Sequence, residues 1–272
     1  MRQLRHLVLI LLFAAMTLHA GETADVVLLI GQSNMDGRGK VSELSADQRA
    51  PSSTIRLFYR NPPAASDGWV ALAPGYSLAP GAKPPVPGAT FGAEISFGPA
   101  LVAELPTLHL ALIKASKGGT SLEKDWKPGE AGKADTQGPC YRNLFETLKV
   151  ALPALGAHRL RGAVWHQGES DAGLPEGEYL KLLVAFIARL RADLGVANLP
   201  FVIGEVYDNG KRNAVRAGQK AVAAAAPHVA FVSCDGLKTW DNGTHFDAAG
   251  QLELGRRYAA ALAAMLKTEQ EK

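Results

Sequence analysis

Val26-Val27-Leu28-Leu29-Ile30 is an unbroken apolar run that stops abruptly in Gly31-Gln32-Ser33-Asn34-Met35. Five apolar residues without alternation describe a strand buried on both faces, as in a parallel sheet covered by helices. Further strands are read at Thr54–Tyr59, Leu108–Ile113, Leu160–Trp165, Phe201–Gly204 and Val229–Ser233. Phe97–Leu105, Tyr141–Leu155, Glu178–Leu194, Asn213–Ala225 and Ala248–Lys267 carry apolar residues at helical spacing. This alternation predicts a doubly wound α/β sheet of five or six mainly parallel strands with right-handed crossovers. No internal repeat breaks it, and residues 21–272 read as one domain. The Pro- and Gly-rich tract from Asn61 to Phe91 reads as a surface excursion that borders the site.

Residues 1–20 stand apart. Arg2 and Arg5 precede a continuously apolar stretch, Leu7–Met16, and Ala20 offers a small residue before Gly21. Basic, apolar, then small is the order of a secretory signal, and the apolar part is short for a transmembrane helix. The expected location is therefore secreted or periplasmic, with no membrane association once the signal is cleaved. Arg2 and Arg5 supply two of the three units of the formal net charge of +3, so the basic balance belongs largely to targeting. No Lys/Arg cluster points to nucleic acid. Cys140 and Cys234 are candidates for a disulfide in an oxidising compartment, and neither sits at a zinc-ligand spacing. The sequence does not specify an oligomeric state.

Three polar clusters follow strands directly: Gly31–Gly37, Lys114–Ser121 and His166–Asp171. A fourth, Trp240–Asp247, lies between the last strand and the last helix. Carboxyl ends of parallel strands share one sheet edge, so the four clusters converge at the usual ligand crevice. Acyl transfer needs a nucleophile, a base, an acid that orients the base, and donors for an oxyanion. Ser33 suits the first role and His245 the second. The backbone N–H groups of Ser33 and Gly119 and the side-chain amide of Gln167 suit the last.

Gly-Gln-Ser-Asn-Met, Lys-Gly-Gly-Thr-Ser, Trp-His-Gln-Gly-Glu-Ser-Asp and Thr-His-Phe-Asp-Ala-Ala-Gly occur in that order. Together, over residues 25 to 265, they resemble the SGNH hydrolases, specifically the sialate O-acetylesterase / carbohydrate esterase family 6 branch. The resemblance implies a flavodoxin-like three-layer α/β/α sandwich. It also implies ester hydrolysis without a metal or other cofactor. The implied substrate is an acetylated carbohydrate such as xylan or sialic acid. By matching motifs, Ser33 is the nucleophile, His245 the base, and Ser33, Gly119 and Gln167 the oxyanion hole. Gln167 stands where other SGNH enzymes carry Asn. Gln32, Asn34, Gly118 and His166 complete the motifs as candidates for substrate contact.

One position departs from the pattern. The general SGNH arrangement puts Asp three residues before the His, where this chain has Asn242. Two carboxylates compete for the role. Asp241 reaches His245 if the loop is one residue longer, with Gly243 easing the turn. Glu169 of the His-Gln-Gly-Glu motif is the acid that the branch implies, and it is the expected one here; Asp171 is a third choice. Asp247 reads as a helix cap, and Trp126 and Trp240 as either sugar-stacking or packing residues. Two other functions fit the same pattern: a lipase or thioesterase, and a carbohydrate-binding protein that has lost catalysis.

Overall fold

A computed structural model describes residues 23–270 except Pro80, Pro85 and Asn242. The proposed signal segment lies outside these residues. Six strands form the parallel sheet: β1 (Ala24–Gly31), β2 (Arg56–Asn61), β3 (Leu110–Ser116), β4 (His158–His166), β5 (Phe201–Gly204) and β6 (Val229–Val232). Their order across the sheet is β2-β3-β1-β4-β5-β6, with every neighbouring pair parallel. All eight residues of β1 are buried, as its unalternating apolar sequence requires.

Two helical layers cover the sheet. The helices α1 (Glu94–Glu104) and α5 (Ala248–Gln270) pack on one face, against Val27, Leu29, Leu57, Leu112, Val164 and Val202. The helices α2 (Pro139–Leu155), α3 (Glu176–Leu194) and α4 (Asn213–Ala225) cover Val26, Leu28, Ile30, Ile113, Trp165 and Ile203 on the other. Adjacent residues of β1 thus enter opposite cores, which is the period-two geometry of a strand. The fold is the three-layer α/β/α sandwich expected from the sequence.

Several details differ. The helices α1, α2 and α3 each begin two or three residues before the positions where apolar periodicity starts, and Pro139 opens α2, where its missing N–H costs nothing. The Asn61–Phe91 tract is not pure loop. Ala64–Ala65 and Val70–Ala71 add antiparallel pairs to β2, and Thr90–Phe91 pairs with Gly39–Lys40. The candidate disulfide does not form: Cys140 and Cys234 are free and buried in the two different cores, with the sheet between them.

The register fixes the site. Gly31 is level with Ser116 on one side and His166 on the other. Three strands therefore end on one line, and the segments after them emerge side by side. Gly31 makes this approach possible. Its φ is +144°, and a Cβ there would lie 2.1 Å from the His166 carbonyl oxygen. Only glycine tolerates both conditions.

Candidate active site

Ser33 opens a single helical turn, Ser33–Asp36, immediately after β1. His245 sits in a loop that leaves β6 and returns to α5. Thr239 and Phe246 bridge in antiparallel fashion, and Trp240 N–H donates to the His245 carbonyl, so the loop closes as a small arm. The arm brings the imidazole to the serine: His245 Nε2 lies 3.0 Å from Ser33 Oγ. Its other nitrogen, Nδ1, lies 2.6 Å from Asp241 Oδ2. Asp241 Oδ1 accepts the backbone N–H groups of Thr244 and His245 at 2.9 and 2.8 Å. Gly243, at φ +79°, supplies the turn that lets a residue four positions back reach the ring. Burial alone would raise the Asp241 carboxyl. The hydrogen bonds from His245 and Thr244 outweigh it and hold the group below the usual carboxylate range.

Asp241, not Glu169, is therefore the carboxylate seated on His245. Asn242, the residue that departs from the motif, lies outside the described residues. The Glu169 side chain is buried, and its Oε1 accepts from Asn34 Nδ2 at 2.5 Å and faces His166 Nε2 at 3.6 Å. Asp171 is also engaged elsewhere: it accepts the Leu122 N–H at 2.8 Å and the Gln167 amide, tying the segment after β3 to the segment after β4.

The oxyanion donors divide. Ser33 and Gly119 both line the cavity, and among the described residues neither backbone N–H finds an acceptor. Gln167 does not reach it. Its amide is fully buried and donates to Asp171, to the Thr120 carbonyl at 2.9 Å and to Gln32 Oε1 at 3.3 Å. Gln32 Oε1 also accepts the Ser170 N–H, so the Gln32 side chain, which lines the cavity, is held by its oxygen with its amide nitrogen left over. Of the other motif residues, Gly118 lines the cavity, whereas Asn34 and His166 do not. His166 is buried with Nδ1 2.6 Å from the Tyr258 hydroxyl.

The cavity measures about 660 Å³, within the range for a small-molecule site. Besides Ser33, His245, Gly118, Gly119 and Glu169, its wall includes Pro62, Pro63, Leu78 and Ala79 from the excursion and the cations Arg38, Lys117 and Arg212. Motif reasoning gave these three cations no role, although Lys117 opens the Lys-Gly-Gly-Thr-Ser motif, and missed the node behind Arg38. Asp36 is fully buried and accepts from Arg38 (2.7 Å), Tyr59 hydroxyl (2.9 Å), Asn61 amide (3.0 Å), Ser116 hydroxyl (3.1 Å) and Leu78 N–H (2.9 Å). A second buried pair, Lys114–Glu94 at 2.8 Å, also donates from Lys114 Nζ to the Tyr76 carbonyl. The signal for the first was present in the sequence as the charged Asp36-Gly37-Arg38 directly after the serine motif. Arg212 donates to the Gly243 carbonyl at 2.8 Å and to Thr244 Oγ1 at 3.2 Å, bracing the arm.

Trp126 is core, with its indole N–H on Thr120 Oγ1, whereas Trp240 is 53% exposed and stacks on the His245 ring at 16°. Asp247 caps α5, accepting the Gly250 N–H at 2.7 Å. Among the described residues no group of three or more His, Cys, Asp or Glu converges as a metal site. No helix among them is long and apolar enough to cross a membrane.

Comparison with solved structures places the fold. A protein from Arabidopsis thaliana superposes with a TM-score of 0.72 at 21% identity, over 89% of this chain and 99% of that one. NanS matches with a TM-score of 0.65 at 16% identity, over 92% of this chain and 98% of that one. A carbohydrate acetylesterase from Xanthomonas citri gives 0.65 at 19% identity, over 90% of this chain and 57% of that one. Among curated protein sequences, none matches. Residues 23–264 match the family described as carbohydrate esterase, sialic acid-specific acetylesterase. The chain belongs to that family, and is a carboxylic ester hydrolase that removes O-acetyl groups from carbohydrate.

Proposed function

We propose that Ser33, His245 and Asp241 are the catalytic triad of this esterase. The continuous Asp241–His245–Ser33 chain, at 2.6 and 3.0 Å, carries the reading. Ser33 Oγ attacks the acetyl carbonyl while His245 Nε2 takes its proton. Asp241 keeps the other imidazole proton on Nδ1 and stabilises the imidazolium. The tetrahedral oxyanion forms against the Ser33 and Gly119 N–H groups, with the Gln32 amide nitrogen as a third donor in place of Gln167. His245 then protonates the departing sugar oxygen. Water, deprotonated by the same imidazole, releases acetate from Ser33.

The substrate we infer is an acetylated acidic sugar of the sialic acid class rather than neutral xylan. Arg38, Lys117 and Arg212 line the cavity; Asp36 offsets Arg38 from behind the wall, and the one lining carboxylate, Glu169, is bonded to Asn34, which leaves Lys117 and Arg212 as the cations without an ion pair among the described residues. A wall of this sign favours a substrate carboxylate. The segment 1–20 supports action outside the cytoplasm. Acetate release should be measured on O-acetylated sialic acid, acetylxylan and 4-nitrophenyl esters. The expected result is preference for the acidic sugar and for acetyl over octanoyl, abolished by Ser33→Ala. Full activity in Ser33→Ala would sink the triad, preference for acetylxylan would sink the acidic sugar, and preference for octanoyl would favour a lipase.

A further inference from the structure

We infer that Asn34 is the positioning residue for the His245 base, and that the buried Glu169–His166–Tyr258 chain fixes the direction in which its amide faces. The inference rests on the assignment of Ser33 and His245 above. Asn34 follows Ser33 directly, yet its side chain turns away from the cavity and into the arm. There Asn34 Nδ2 donates to the Thr244 carbonyl at 2.8 Å, and Asn34 Oδ1 accepts the Phe246 N–H at 3.2 Å. These two groups flank His245 on either side. One side chain, covalently next to the nucleophile, therefore holds the backbone that carries the base. The distance between Ser33 Oγ and the imidazole is set over only a few bonds.

An amide has two nearly isosteric ends. Reversed, Asn34 would set its oxygen against the Thr244 carbonyl and its NH2 against the Phe246 N–H, and both contacts would repel. Glu169 removes that alternative. Its Oε1 lies 2.5 Å from Asn34 Nδ2, and a carboxylate accepts only, so the NH2 end must face it. Glu169 is in turn held from behind. His166 Nε2 faces Glu169 Oε1 at 3.6 Å, and because a carboxylate only accepts, the imidazole proton belongs on Nε2, which leaves Nδ1 to accept from the Tyr258 hydroxyl at 2.6 Å. The four side chains are all nearly or wholly buried, which limits their alternatives. No hydrogen bond or ion pair joins Glu169 to His245. Its position in the His-Gln-Gly-Glu motif is explained by the amide it orients.

The test uses the full chain and 4-nitrophenyl acetate, with thermal unfolding recorded for each variant. Asn34→Ala should lower kcat about 10²-fold, the loss a misplaced catalytic group brings, and leave KM within a few-fold. Asn34→Asp, of the same size, covers the case in which the truncated side chain unfolds the arm. It keeps an acceptor for Phe246 but loses both donors, and should lose kcat to a similar degree. Glu169→Ala should lower kcat in the same direction, and Asn34→Ala/Glu169→Ala should be no worse than Asn34→Ala alone, because the two act as one unit. Glu169→Gln still offers Asn34 a carbonyl oxygen, and should recover about ten-fold over Glu169→Ala. Parental kcat in both Asn34 variants, while Ser33→Ala is inactive, would overturn the inference and leave the triad standing. So would a Glu169→Gln variant as impaired as Asp241→Asn, because Glu169 would then act by charge. Retained activity in Ser33→Ala would instead overturn the triad on which the inference rests.

Discussion

The site holds two imidazole–carboxylate pairs built from the same chemistry. His245 and Asp241 are 2.6 Å apart, with side chains 18% and 24% exposed. His166 and Glu169 are 3.6 Å apart, with side chains 1% and 3% exposed. In each pair the two residues are three or four positions apart in the chain. The outer pair has the tighter contact and access to solvent, so its imidazole can exchange protons with substrate and water. The inner pair is sealed, and its carboxylate is engaged by an amide. Only the outer ring has a serine hydroxyl, that of Ser33, on its far nitrogen. Access and contact, not residue type or motif prominence, separate an acid–base pair from an orienting one.

That contrast can be broken most sharply by exchanging the two acids for amides. Asp241→Asn should cost about 10⁴ in kcat, as loss of the orienting anion does in triads, while Glu169→Gln should cost about ten-fold or less. Steady-state kinetics on 4-nitrophenyl acetate decide it, and the reverse order would interchange the roles of the two pairs.

Stability under acid separates the pairs a second way. Burial alone would raise the Glu169 carboxyl, but the neighbouring His166 ring and the hydrogen bond from Asn34 overcome it and hold the group below its ordinary value. A depressed carboxyl contributes stability that is complete above the unfolded value of about 4.3 and is lost as pH falls through the folded value. The gap in Tm between the parent and Glu169→Gln should therefore narrow as pH falls from about 6 to about 3, crossing that window. Asp241→Asn, at a more exposed position, should show a weaker version of the same trend. A stronger trend at Asp241 would mark the outer pair as the better buried in solution.

Smaller effects refine the picture. Tyr258→Phe removes one buried hydrogen bond from the inner chain and should cost about 1 kcal/mol in denaturant unfolding, with little change in KM. Trp240→Ala removes the exposed ring stacked on His245. It should raise KM for a glycan a few-fold, the scale of about 1 kcal/mol for a stacked aromatic, and hardly alter turnover of a nitrophenyl ester. An equal effect on both substrates would assign Trp240 to the outer pair rather than to sugar binding.

The sheet and its helical layers were legible because β1, β5 and β6 are apolar runs, β2 alternates, and each helix keeps its period. The two-residue strands of the excursion were not, since a pair such as Ala64–Ala65 has no period to read. The meeting of Ser33 and His245 followed from where strands end. The partner of His245 did not, because the choice between Asp241 and Glu169 depends on the turn at Gly243 and on Asn34 holding Glu169 elsewhere. Gln167 shows the same limit. Its motif suggested an oxyanion donor, but Thr120 and Asp171, distant or displaced in sequence, take up its amide. Asp36 gathers donors from five positions between Arg38 and Ser116, a convergence that only the folded chain reveals.

Asp36 and Lys114 anchor the excursion from beneath at neighbouring points, one through the Leu78 N–H and the other through the Tyr76 carbonyl. The wall they secure contributes Leu78 and Ala79 to the cavity that Ser33 also lines. A segment nailed down at its midpoint by two buried ion pairs cannot swing as a hinged door. Entry and departure of the sugar then proceed through a standing opening. Selection falls to the shape and charge of a fixed rim, and turnover is released from any wait for a loop to open.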